Sequence, residues 1–160
     1  MILLGMGIIQ LSKLDDHALR LRKIFDRTVA LIDEYKPDEL AIEAPFFGKN
    51  VQSMLKLGRA QGVAIAAALS RQMTVIEYSP KKIKQSITGN GNASKEQVAA
   101  MIKTQIKFNE DPKFLDATDA LAAAVCHYYQ RNSKTGEESY SGWNAFVKNN
   151  PAKIKKIPPK

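Results

Sequence analysis

The sequence predicts an α/β layered domain with a mainly parallel sheet. Short apolar segments rich in β-branched residues alternate with longer segments that have helical periodicity, and this order is typical of parallel strands joined by helices. The length of 160 residues suits one domain with one hydrophobic core. Three strand candidates are few for such a sheet.

The first half of the chain provides the three strand candidates and two long helices. We expect strands over Met1–Leu11, Glu39–Glu43 and Thr74–Tyr78, where apolar segments end at Pro or polar turns. A helix is expected from the Asp15-Asp16 capping candidate to Tyr35, because apolar residues recur there with i, i+3, i+4 spacing. A second helix, 51–71, carries Gly58 and Gly62, which would let another backbone approach closely or would serve tight packing alone.

The second half is predicted to be helical. A short basic helix over 80–88 precedes a Gly-Asn turn, and Ser94 with Gln97 forms a capping-box pattern that starts a helix to about Phe108. The last helix is expected over 115–130. We therefore expect one folded domain over 1–130 and a basic, flexible tail over 131–160.

Composition limits the classes of function. The net charge of +8 favours polyanionic partners, and residues 131–160 hold seven basic and two acidic residues. The single cysteine, Cys126, cannot form an internal disulfide and is expected in the core. We expect a cytoplasmic protein, because the sequence has neither a signal-peptide pattern nor an apolar run long enough to span a bilayer.

Three carboxylates form the candidate site. Glu43 ends a strand, and Asp116 and Asp119 lie on nearly one face at the start of an Ala-rich helix. Each alone is more often structural, as a solvent-facing strand end or a helix cap. Together they make a hard oxygen-ligand set that suits Mg²⁺ or Mn²⁺, and the basic surface then indicates metal-assisted phosphodiester hydrolysis.

The sequence resembles the RuvC family of Holliday-junction resolvases over about residues 10–130. The segments that carry the resemblance are AIEAPFFGKNVQSMLKLGRAQGVAIAAALSRQ, EYSPKKIKQSITGNGNASKEQV and LDATDALAAAVCH. The resemblance implies an RNase H-like mixed sheet flanked by helices. It also implies a Mg²⁺-dependent homodimeric crossover junction endodeoxyribonuclease, with Mn²⁺ as a possible substitute, that nicks four-way DNA junctions and works with a branch-migration motor.

The resemblance also implies residue roles. Glu43, Asp116 and Asp119 match the family's metal-binding carboxylates, Phe46 matches the aromatic that enters the junction, and Lys84 and Lys95 match its phosphate-contacting lysines. The family's first strand, of the type I-L-G-I-D-P-G, has no counterpart here, and no Asp precedes Asp15. We therefore expect a family member truncated at its amino end, by gene truncation, a mistaken start codon or the choice of segment.

Three functions remain open on this basis. The first is a junction-resolving endonuclease, the second is a branched-DNA-binding remnant that does not cleave, and the third is a generic basic partner protein. We expect the chain to bind junctions but to nick them more slowly than a version that carries the first strands.

Overall fold

The computed structural model describes residues 1–45, 50–107 and 115–133, with Leu115, Asp116 and Ser133 described by their backbone alone. The elements follow in the order α1 (His17–Tyr35), β1 (Glu39–Glu43), α2 (Val51–Leu69), β2 (Thr74–Tyr78), α3 (Pro80–Thr88), α4 (Lys95–Gln105) and α5 (Leu115–Ser133). The contacts divide the chain into two units, Met1–Tyr129 and Gln130–Lys160. The described part of the second unit is the end of α5.

The described sheet consists of β1 and β2, which pair in parallel from Glu39 opposite Thr74 to Glu43 opposite Tyr78. Both strands end where the sequence predicts, before Pro45 and Pro80, since proline cannot donate to a ladder. Their carboxyl ends therefore lie at one edge of the sheet, where α3 begins directly after β2.

The strand expected over Met1–Leu11 is wrong: the structure assigns no regular secondary structure to these residues. Leu3 and Met6 nevertheless pack against the core. A strand also requires a neighbouring backbone to complete its hydrogen bonds. In the described sheet β1 and β2 pair with each other, and no third strand joins them.

Local signals set the helix ends. The Asp16 carboxylate accepts hydrogen bonds from the backbone of Ala18 and Leu19 at the start of α1, and Lys36 ends that helix in a left-handed conformation before Pro37. Ser94 and Gln97 form the predicted capping box of α4. That helix ends at Gln105, earlier than expected, and α5 continues to Ser133.

The core has two clusters of buried residues. The larger one joins α3, α4 and α5 and includes fully buried Ile102 and Cys126, as expected for the cysteine. The smaller one consists of Ile32 of α1, Ala68 of α2 and Met73, which directly precedes β2, and Val75 of β2 packs against it. No helix in the described ranges is long and apolar enough to cross a membrane.

Candidate active site

Glu43 is the last residue of β1, at the carboxyl edge of the sheet. The parallel pairing continues one step beyond it, because the Ala44 N–H donates to the Tyr78 carbonyl at 2.8 Å. The Glu43 carbonyl accepts a hydrogen bond of 3.2 Å from the Gln61 side-chain amide of α2. The backbone at the end of β1 is therefore held on both sides.

Asp119 approaches the same place from α5. Its carboxylate forms an ion pair of 2.6 Å with the Lys95 ammonium, and its side chain is 41% exposed. Lys95 is the first residue of α4, immediately after the N-cap residue Ser94. The cap fixes where α4 begins, and it thereby helps to place the lysine next to the aspartate.

These side chains line one cleft of about 320 Å³. Two carboxylates, Glu43 and Asp119, and two ammonium groups, Lys84 and Lys95, share it. Its other walls are mainly apolar and come from α3, α4 and α5, namely Pro80, Ile83, Val98 and Ala122. The cleft thus combines acidic and basic groups against a packed apolar base.

The electrostatics of the cleft act on Glu43. Partial burial raises the pKa of its carboxyl group above the ordinary value, and the negative charge of Asp119 raises it further. The ammonium groups of Lys95 and Lys84 act in the opposite direction but do not cancel the shift. A carboxyl group that is partly buried and lies near a second negative charge belongs to a site that a bound cation would stabilise.

Comparison with known proteins identifies the family. The family model described as crossover junction endodeoxyribonuclease RuvC matches residues 1–127. The chain belongs to this family. The RuvC protein of Cytophaga hutchinsonii is 64% identical over 158 residues, which cover 99% of this chain and 78% of that protein. The RuvC protein of Porphyromonas gingivalis is 56% identical, with 96% and 84% covered.

Solved RuvC structures share the fold. A Thermus thermophilus RuvC structure superposes with a TM-score of 0.73 at 29% identity, covering 84% of this chain and 81% of that one. A structure of T. thermophilus RuvC in complex with Holliday junction substrate gives a TM-score of 0.74 at 27% identity and the same coverage. The predicted family, its RNase H-like α/β fold and its class, endodeoxyribonuclease, are therefore confirmed.

The structure brings four of the six predicted RuvC site residues together: Glu43, Asp119, Lys84 and Lys95. Asp116 lies in the first turn of α5, one turn before Asp119, but its side chain is outside the described residues. Phe46 is also outside them. The roles of all six stay predictions.

Sequence reasoning did not single out Gln61. It is buried, and besides the Glu43 carbonyl its amide contacts the Glu77 carboxylate at 3.4 Å. The available signal was a polar amide within the apolar, Ala-rich part of α2, since a buried amide requires hydrogen-bond partners. Among the residues that the structure describes, no group of three or more His, Cys, Asp or Glu side chains is close enough to hold a metal ion.

Proposed function

We propose that this protein is a metal-dependent endonuclease that resolves four-way (Holliday) DNA junctions in recombination and repair. The observation that carries the proposal is the cleft at the end of β1, where Glu43 and Asp119 lie beside Lys84 and Lys95. Membership of the RuvC family and the likeness to T. thermophilus RuvC in complex with Holliday junction substrate support the choice of DNA substrate.

Glu43 and Asp119 are the described residues that would hold a divalent cation. Carboxylate oxygens suit Mg²⁺ and Mn²⁺, and the raised pKa of Glu43 beside Asp119 indicates two anionic groups that favour a cation between them. Asp116 joins them by the family resemblance. When bound, Mg²⁺ activates a water molecule and stabilises charge that develops on the scissile phosphate.

The two lysines would hold the DNA backbone near these carboxylates. Lys84 and Lys95 come from α3 and α4, and both line the cleft, so a phosphate there is within reach of two cationic groups. Lys95 also pairs with Asp119, so its ammonium is shared between the carboxylate and a bound phosphate. Phe46 is proposed to stack on an unpaired base at the junction centre.

A second copy of the chain is proposed to pack on the outer face of α2. Val51, Leu55 and Leu69 are exposed, and with Gly58 and Gly62 they fall on one side of the helix by the 3.6-residue repeat. A Cβ added at either glycine would meet nothing within 4 Å among the described residues, so this face has room for another backbone. A homodimer with two clefts fits paired nicking of a four-way junction. A branch-migration motor is the further partner that the resemblance implies.

The test is nicking of a synthetic four-way junction by the full chain with Mg²⁺ under single-turnover conditions. We expect nicks in strands of like polarity, no nicking after chelation, and little activity on a linear duplex of the same sequence. A chain that cuts duplex and junction equally would contradict the proposed substrate.

A non-cleaving junction-binding role is the second candidate. Its supporting observation is that Asp119, one of the two described carboxylates of the cleft, is already paired with the Lys95 ammonium. Selective junction binding with no nicking in Mg²⁺ or Mn²⁺ would favour this role over the first.

A further inference from the structure

A hydrogen-bonded triad of Glu39, His127 and Tyr78 lies outside the candidate active site, on the same strand and helix that supply its acids. His127 Nε2 is 2.7 Å from a Glu39 carboxylate oxygen, and Nδ1 is 2.9 Å from the Tyr78 hydroxyl. The His127 and Glu39 side chains are only 18% and 26% exposed. The triad therefore joins both strands of the sheet to α5 in a setting largely screened from water.

Chemistry fixes the direction of these bonds. A carboxylate only accepts, so Nε2 carries the hydrogen that reaches Glu39. In the neutral ring Nδ1 then accepts from the Tyr78 hydroxyl. Burial raises the pKa of the Tyr78 phenol, so the hydroxyl retains the proton that it donates. All three polar groups are thus satisfied by one another.

The spacing along the two elements links the triad to the cleft. Glu39 and Glu43 are four residues apart on β1, which is about 13 Å along a strand. His127 and Asp119 are eight residues apart on α5, which is about 12 Å along a helix. Glu39 contacts His127, and Glu43 shares the cleft with Asp119. The hydrogen bond of Glu39 with His127 and the cleft shared by Glu43 and Asp119 therefore mark two places, a similar distance apart along both elements, at which α5 faces β1.

The apolar surface of α5 explains why such a contact is needed. Its buried residues near the site are mostly small, among them Ala117, Ala122 and Ala123. Small side chains interlock weakly, so apolar packing alone resists axial sliding of a helix less than bulky side chains do. Hydrogen bonds of fixed length and direction supply the missing restraint.

We infer that Glu39, His127 and Tyr78 are positioning residues that set the axial register of α5 against β1 and thereby hold Asp119 opposite Glu43 for divalent-cation binding. The inference rests on the proposed metal site. It assigns these residues no contact with DNA or metal.

The test measures Mn²⁺ binding by the full chain, using electron paramagnetic resonance of the free ion. Replacement of His127 by leucine, H127L, removes both hydrogen bonds, and we expect Mn²⁺ affinity to fall about tenfold, as for residues that orient metal ligands. Tyr78→Phe, which removes one hydroxyl, should give a smaller loss. Glu39→Gln should retain near-normal affinity, because the amide oxygen still accepts from Nε2.

The matched control is Tyr129→Phe, which removes a hydroxyl that links the same helix to Gln105 of α4. We expect it to leave Mn²⁺ affinity unchanged. Thermal melting and metal-free junction binding are measured for every variant. If H127L does not fold, the comparison of Tyr78→Phe with Tyr129→Phe decides, because both lose one phenolic hydroxyl.

The outcomes separate the two proposals. An unsubstituted chain that binds no Mn²⁺ overturns the proposed metal site and the positioning role together. An unsubstituted chain that binds Mn²⁺ while H127L binds it equally well overturns the positioning role alone. Equal Mn²⁺ losses in Tyr78→Phe and Tyr129→Phe would indicate general loosening of α5 and would also overturn it.

Discussion

The two core clusters differ in size and in what they support. Among the described residues, the cluster of α3, α4 and α5 contains eleven buried residues, and three cleft-lining residues, Ile83, Val98 and Ala122, belong to it. The cluster around α1 and α2 contains three buried residues in the same part of the chain. The candidate site therefore rests on the better-packed part of the molecule.

The part of the molecule around α1 and α2 buries less apolar surface within the chain. Its helix α2 leaves large apolar side chains exposed on its outer face. Beside the small apolar cluster, Arg71, two residues after α2, forms a bidentate ion pair with Asp33 of α1 at 2.8 and 2.9 Å. One side of the molecule stabilises itself by burial within the chain. The other retains apolar surface that a second copy would cover.

The largest effect is expected from removing a side chain at the centre of the larger cluster. Ile102→Ala should lower the free energy of unfolding by about 3 to 4 kcal/mol, because Ile102 is fully buried and leaves a cavity. Ile32→Ala in the smaller cluster should cost about 2 kcal/mol. Chemical denaturation measures both, with exposed Met101→Ala as the control for the same helix. Equal losses of unfolding free energy in Ile102→Ala and Ile32→Ala would contradict the proposed difference in packing between the two clusters.

Loss of an acidic side chain should impair nicking when it occurs in the cleft, and it should be tolerated on α1. Asp119→Asn is expected to slow junction nicking about a hundredfold, because the charge that helps to hold the cation is lost. Metal-free junction binding should persist or tighten, since Lys95 loses its anionic partner in the cleft. Asp26→Asn, at an exposed pair with Arg22 on α1, is the control and should nick normally. Comparable slowing in both variants would contradict a special role for Asp119.

A charged side chain placed on the outer face of α2 should weaken self-association. Leu55→Lys is expected to weaken self-association about tenfold or more, which corresponds to about 1.4 kcal/mol for burying a charge in an apolar contact. Gln52→Lys adds the same charge on a different side of the helix and is the control. Sedimentation equilibrium measures the dimer constant. A Leu55→Lys chain that dimerises as well as Gln52→Lys would place the interface elsewhere.

The smallest expected effect concerns pH, and its sign differs between the two sides. The raised pKa of Glu43 means that the folded state binds more protons just above the ordinary Glu value of 4.5, so stability falls as pH rises through that window. Arg71 lowers the pKa of Asp33, so the stability of that pair is present above the ordinary Asp value of 3.8 and is lost as pH falls.

Denaturation at a series of pH values checks both signs. The metal-free chain is compared with Glu43→Gln, which should remove the first slope, and Asp33→Asn, which should remove the second. If Glu43→Gln removed the slope assigned to Asp33, or Asp33→Asn removed the slope assigned to Glu43, the assignment of the slopes to these two residues would be contradicted.

The sequence predicted what local signals determine. β1 and β2 end before prolines, and α1 and α4 begin at polar caps, so their positions follow from neighbouring residues. The expected strand over Met1–Leu11 depended on pairing, which no local pattern reveals. An apolar segment can contribute Leu3 and Met6 to a core without joining a sheet.

For the site, the sequence predicted individual residues but did not predict the contacts between them. Glu43 and Asp119 were identified by their places at a strand end and a helix start, but their shared cleft is a property of the fold. The hydrogen bond from Gln61 to the Glu43 carbonyl joins residues 18 positions apart in the chain, and the contact of Glu39 with His127 joins residues 88 positions apart. A hydrogen bond between such distant residues depends on packing, and single-sequence periodicity carries no information about it.

The two lysines of the cleft are close together in the chain, whereas its two carboxylates are far apart in the chain. Lys84 and Lys95 lie on consecutive helices joined by a tight turn, in which a Cβ at Gly91 would meet Lys81 Cγ at 2.7 Å. Glu43 and Asp119 meet only when distant parts of the chain are assembled, and such long-range contacts are lost when any intervening part opens. Transient opening of the unit would therefore abolish the carboxylate pair while the lysine pair persists. If the lysines hold the DNA backbone and the carboxylates hold the cation, as proposed, a partly opened molecule would still bind DNA but could not cut it.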